Sequence, residues 1–245
     1  MNFLPVIVRE LRLVARRPRT YLGRSLAAMT VLVMSLGMLY AGFGGAVGAN
    51  SAGRDLFVAL SFLGYGYVLL DGAFSTADCL SREKREGTIG LLFLTSLRGY
   101  EIVSGKLVSR TLNTAFCVLA SFPALGLAIF LGGVTGTDFF RMAFVLTNGL
   151  FFSAGLGLLF SACCRDERRV LSGTLFGVVM LGVLLPWIGE EARQWMKAPS
   201  VHPFFLVASP AGPLLAALGS SAPVSASGYF GWSLFTTHLL GWVFL

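Results

Sequence analysis

The sequence predicts an all-α polytopic membrane protein, and three observations carry that prediction. Only 13% of the 245 residues are charged, while 55% are apolar; a soluble chain usually carries about 25% charged residues. The charge that remains gathers in short blocks between long, nearly uncharged runs. Fifteen of the nineteen lysines and arginines fall in three of those blocks, a bias that marks the side of a bilayer on which each connection stays. Bilayer thickness therefore sets element length, and residues 1–245 are expected to form a single transmembrane domain.

The elements follow in order. In FLPVIVRELRLVARR, Leu4, Ile7, Leu11 and Val14 share one helical face, and Arg9, Arg12 and Arg16 share the other. That pattern predicts an amphipathic helix over residues 3–20, lying along the membrane surface with its apolar face down. Pro18 and Gly23 then let the chain turn inward. Six arginines precede a long apolar run that no small-residue cleavage site closes, which argues against a cleavable signal. The first span is expected at 25–47. At 1.5 Å per residue it measures about 34 Å, enough for a hydrocarbon core of about 30 Å. Further spans are expected at 56–80, 107–131, 139–163 and 170–188. Residues 189–227 begin with a short amphipathic stretch and continue through a semi-apolar run interrupted by Pro210 and Pro213. This region is expected on the extracytoplasmic side. It can re-enter the membrane only where protein satisfies its backbone. A sixth run at 229–245 stops without a basic flank, so a short or truncated span is expected, with the native chain continuing beyond Leu245.

Basic residues orient these spans. The N-terminal segment has six, the 80–110 connection has six, and the 164–169 turn has Arg165, Arg168 and Arg169. The other side holds Arg54, Arg141, Arg193 and Lys197. The N-terminus, the 80–106 connection and the 164–169 turn are thus expected in the cytoplasm, as five alternating spans require. The net charge of +7 reads as membrane retention and contact with anionic lipid; no polar module for nucleic acid surrounds it.

Several residue types invite chemistry. Cys79, Cys117, Cys163 and Cys164 have no metal-ligand spacing and are expected to act as small buried hydrophobes. His202 and His238 lack a neighbouring carboxylate set for zinc. No nucleophile-base-acid arrangement can be assembled, so no catalytic residue is expected. Asp71 lies inside the second span, where a carboxylate is costly and faces protein or water. It admits two readings, an ion or proton relay and a structural partner of a base or hydroxyl. Asp78, nearer the headgroups, is expected to be solvated. Lys106 and Arg110 are one turn apart, and both are expected to snorkel to phosphates. Gly173 and Gly177 have the G-x-x-x-G spacing of a close helix contact.

The 81–106 connection, SREKREGTIGLLFLTSLRGYEIVSGK, is unlike a polar linker. Alternating charges keep the end of span two in water, and Gly87 permits the chain to leave the helix. Thr88 is placed to cap a short helix carrying Ile89, Leu91, Leu92, Phe93 and Leu94. Such an apolar face must bury itself against lipid headgroups or in the groove of another chain. The order Glu83–x–x–Glu86–Gly87–Thr88–x–x–Leu91–Leu92–x–x–Thr95–x–Leu97, then Glu101–Ile102–Val103–x–Gly105–Lys106, resembles the first intracellular loop of ABC-2 type transporter permeases. Ser96 stands where that family often has proline, and Gly90 where some members have glutamate.

The resemblance implies a type V exporter-like transmembrane domain whose 81–106 loop couples to an ABC ATPase subunit. ATP and Mg would sit on that partner. It also implies a second permease copy or homologous half, and a cytoplasmic (plasma) membrane location in a prokaryote. Consistent with a separate ATPase, no G-x-x-x-x-G-K-[ST] phosphate loop occurs. Two other classes remain open at this level: an ion-coupled secondary transporter using Asp71, and a non-transporting membrane scaffold.

Overall fold

The computed structural model describes residues 49–87, 99–196, 201–219 and 226–245, with isolated helical positions between 25 and 40. The expected surface helix with Arg9, Arg12 and Arg16 lies outside the described residues, as do much of the 25–47 span and the stretch containing Thr88, Leu91, Leu92, Thr95 and Leu97. The described chain is all α-helical: α1 (Ala49–Ala77), α2 (Ser81–Glu86), α3 (Gly99–Leu131), α4 (Gly136–Cys163), α5 (Glu167–Val179), a π-helical turn (Met180–Leu184), α6 (Leu185–Met196), α7 (Val201–Ala208), α8 (Ala211–Ala217) and α9 (Ala226–Phe244).

Among the described residues four helical stretches are long and apolar enough to cross a membrane: Gly53–Ala77, Val103–Leu131, Gly136–Cys163 and Glu167–Ala192. They contain most of the runs expected at 56–80, 107–131, 139–163 and 170–188. The chain is an all-α polytopic membrane protein. Large side chains such as Phe130, Phe144, Phe176 and Val183 are exposed on the bundle's outside, which suits contact with lipid tails.

Helix α4 is the hub. It packs against α1, α3, α5, α8 and α9, and 67% of its most apolar window is buried, against 11% for Glu167–Ala192. In lipid there is no hydrophobic drive between helices, so close packing and interhelical hydrogen bonds must hold them. The α1–α4 contact uses both. A Cβ on Gly157 would lie 2.3 Å from the Ala73 carbonyl oxygen, and one on Gly72 would lie 2.1 Å from Ser153 Oγ. Between these contacts Thr76 donates to the Ala154 carbonyl at 2.9 Å, and Ser153 donates to the Val68 carbonyl at 3.1 Å. Gly173 and Gly177 make a close contact within the chain, on Phe160 and Leu156 of α4.

Three boundaries differ from the sequence reading. Helix α1 starts at Ala49, not near Leu56, because nothing in Ala-Asn-Ser-Ala-Gly-Arg-Asp prevents the helix from extending outward. Helix α3 starts at Gly99 and runs unbroken for 33 residues, about 50 Å. It is longer than a hydrocarbon core of about 30 Å, so residues 99–106 of the 81–106 connection are a helical extension of the span. The fifth span continues past residue 188 to Met196 through the π turn, in which the Leu185 N–H reaches back to the Met180 carbonyl. Pro186 follows that turn; it has no N–H to donate, and its ring collides with a carbonyl four residues back in a regular helix.

Within the region expected at 189–227 on the extracytoplasmic side, the described residues after α6 include two short helices, α7 and α8, meeting at Ser209–Pro210. Protein groups satisfy the break: Tyr65 donates to the Pro210 carbonyl, Ser209 to the Leu181 carbonyl at 2.8 Å, and Thr236 to the Val207 carbonyl.

Adding one methyl group tests the α1–α4 crossing. Gly157→Ala should lower stability by about 1–3 kcal/mol through overpacking, read as a lower midpoint of unfolding in detergent. Gly126→Ala, at a site with no atom within 4 Å of the added carbon, should leave that midpoint unchanged or raise it.

Candidate coupling site and an intramembrane carboxylate

The first half of the 81–106 connection begins where α1 ends. A turn at residues 78–80 leads into α2, and Gly87 ends it at φ 70°, a left-handed conformation that glycine adopts without steric cost. This turn and helix are pinned to the same end of α4. Ser161 Oγ accepts the Leu80 and Ser81 N–H groups at 2.9 and 3.0 Å, two donors that the start of α2 leaves without a helical partner. Lys84 Nζ donates to the Ala162 carbonyl. Arg85 reaches three groups: Asp78 at 2.7 Å, the Arg165 carbonyl at 3.3 Å and Glu167 at 3.7 Å.

Helix α3 joins the assembly through Lys106, whose buried Nζ donates to the Cys79 carbonyl at 3.4 Å. The structure thus revises one expectation and adds partners to another. Lys106 is buried rather than extended toward solvent, and its ammonium meets the Cys79 carbonyl. Asp78 is held by Ser81 at 3.0 Å as well as by Arg85, because the turn after α1 folds both donors back over it.

Of the site residues read from the sequence, Glu86, Gly87 and Lys106 lie in this assembly or at its edge, and Glu86 pairs with Arg82 at 2.8 Å on the exposed face. Glu83 lies within α2 and Glu101 within α3. Sequence reasoning missed Ser161, Lys84 and Arg85 as a brace, since Ser161 is about eighty residues away from its partners. Cys79 and Cys117 are buried as expected, whereas Cys163 is exposed, because α4 ends there and the chain turns outward.

Asp71 sits in α1 with two hydroxyl donors on one oxygen, Thr114 of α3 at 2.5 Å and Tyr67 at 3.4 Å. No basic side chain pairs with it among the described residues, so the hydroxyl alternative describes its surroundings. Tyr67 also borders an apolar cavity of about 940 Å³ between Thr30, Leu32, Ser35 and Leu36, α1 and α3, lined by residues such as Leu63, Leu70, Phe116 and Leu127. Its size and apolar lining fit a small hydrophobic ligand or an acyl chain. His238 of α9 lies on the α4 side, 3.1 Å from Asn148 Oδ1 and stacked on Phe151. No His/Cys/Asp/Glu group able to hold a metal occurs among the described residues.

Taken together, the apolar spans and the braced connection define a polytopic helical membrane protein. A known family, described as ABC-2 family transporter protein, matches residues 50–244, and the chain belongs to that family. No curated protein matches the chain.

The brace has a measurable consequence. Ser161→Ala leaves the Leu80 and Ser81 N–H groups without their acceptor, at a cost of about 1–3 kcal/mol for a buried donor. The variant should unfold at lower denaturant, and protease should cut the 81–98 segment faster than in the wild type.

Proposed function

We propose that the chain is the membrane-spanning permease subunit of an ATP-binding cassette exporter of the type V architecture. Two permease copies, or this chain and a homologous half, enclose the translocation path. A separate ABC ATPase carries ATP and Mg and docks on the 81–106 connection. The observation that carries this reading is the family match over residues 50–244, which includes the whole of that connection and its coupling pattern.

In this reading Leu91, Leu92 and Leu97 supply the apolar docking face, with Thr88 and Thr95 capping its turns. Glu83, Glu86 and Glu101 supply its charged rim, and Gly87 sets its angle. The brace supports the reading mechanically. A push on the docking face reaches α1 through α2, α4 and the 164–169 turn through Ser161 and Arg85, and α3 through Lys106. Closure of the ATPase pair therefore moves the bases of three spans together. Arg9, Arg12 and Arg16 hold the N-terminal helix on the cytoplasmic face, against anionic lipids of a prokaryotic plasma membrane.

The docking role is tested by Leu91→Asp with Leu92→Asp, co-expressed with the ABC ATPase of the same locus. The double variant should insert normally but lose the ATPase on purification and lose its stimulation in nanodiscs. Retention of a stimulated ATPase would sink the docking role. The half-buried Asp71 favours a second reading, ion-coupled transport without ATP. Under the main proposal Asp71→Asn still accepts both hydroxyls, so ATPase stimulation should persist within about twofold, a small change for one neutral hydrogen-bond acceptor. Gradient-driven flux that vanishes in Asp71→Asn would support the second reading.

A further inference from the structure

The end of the bundle remote from α2 gathers two arginines that the coupling reading does not use. Arg54, in the second turn of α1, and Arg141, in the second turn of α4, line one pocket of about 110 Å³ with Gly133, Val134, Asp138 and Gly219. They are 87 positions apart in the chain. Only four of the nineteen basic residues are assigned by sequence to this side, where positive charge is under-used, and two of those four share a single concavity.

Their existing contacts leave capacity unspent. Arg54 donates one Nη2 bond to the Leu218 carbonyl at 3.2 Å. Arg141 lies with Cζ 5.7 Å from the centre of the Phe230 ring, and its N–H donors make no hydrogen bond among the described residues. Neither arginine has a carboxylate within ion-pair distance among the described residues. Asp138 is the carboxylate in the lining, and its Oδ2 is committed to the Thr135 N–H and hydroxyl in the capping box that starts α4. Two guanidinium charges against one carboxylate leave the pocket positive. The first turn of α4 adds to that field.

We propose that Arg54 and Arg141 form a binding site for a phosphate-type oxyanion at this end of the bundle. Two guanidinium edges suit a tetrahedral oxyanion with several acceptor oxygens. A pocket of about 110 Å³ admits one such group, and no more than a headgroup phosphate of a lipid. The source is an anionic phospholipid or a soluble phosphate compound. The site stands without the exporter reading, which serves only to name the leaflet as the outer one.

The test uses the full chain in nanodiscs. In one arm the discs contain phosphatidylglycerol in phosphatidylcholine, and native mass spectrometry counts retained phosphatidylglycerol. In the other the discs are pure phosphatidylcholine, and inorganic phosphate is titrated by ³¹P line broadening. The variants are Arg54→Gln with Arg141→Gln, the milder Arg141→Lys, and Arg165→Gln with Arg168→Gln as a charge-matched control at the opposite end.

Binding in either arm that weakens about tenfold in the Arg54/Arg141 double variant, as loss of charge-assisted bonds implies, and survives the control establishes the site and identifies its source. Should the double variant fail to fold, Arg141→Lys decides: weakened binding, through loss of the planar fork, supports the site, and wild-type binding overturns it. Equal losses in the control, or no difference in both arms, also overturn it. None of these outcomes depends on an ATPase, so the site can fail while the coupling role stands, and the reverse.

Discussion

The contact between α1 and α4 is the constraint on which the rest of the bundle depends. Two long helices approach until the Ala73 backbone of one fills the space a side chain would need at Gly157 of the other, and the Ser153 side chain fills that space at Gly72. At that separation Thr76 and Ser153 reach carbonyls across the interface instead of only their own. These bonds matter because lipid offers the freed groups no alternative partner. The crossing fixes the relative height of α1 and α4, and every feature discussed above is referred to that height.

At one end, the fixed height places Ser161 opposite the two N–H groups left over at the start of α2. A shift of α4 by one residue, about 1.5 Å along its axis, would break both bonds. The brace is therefore a consequence of the crossing and not an independent device. It gives the 81–106 connection a stiff base, and stiffness is what a loop needs if force is to pass through it without being absorbed. At the other end, the same height brings Arg54 of α1 level with Arg141 of α4, across a pocket closed by the end of α8. The broken helices α7 and α8 settle against this frame because Tyr65, Leu181 and Thr236 meet their unpaired backbone or hydroxyl groups.

Much of the architecture was legible in the residue order. Long uncharged runs predict spans, because a polar backbone in lipid must close its own hydrogen bonds as a helix. Pro210 and Pro213 announced a break between short helices, and the glycine after Arg85–Glu86 announced a turn. The ends of elements were less legible. The start of α1 at Ala49 and of α3 at Gly99 lies outside the apolar runs, where hydropathy falls silent although the helix continues. The π turn before Pro186 depends on which hydrogen bond is skipped, and composition carries no trace of that. Among the candidate site residues, Gly87 was readable from its own chemistry, while the burial of Lys106 was not, because the Cys79 carbonyl it meets lies in the turn after α1, distant in sequence.

The amino-acid order by itself determined that this chain crosses a membrane several times, which connections carry the positive charge, and which connection has the pattern of a coupling loop. Those properties are local, summed over neighbours in sequence, and the bilayer reads them one run at a time. Tertiary structure alone decided that Ser161, Lys84, Arg85 and Lys106 brace one end, that Asp71 meets Thr114, and that Arg54 and Arg141 face a common pocket. Each of those pairings joins residues distant in sequence, and only the packing of the helices that carry them sets their separation in space.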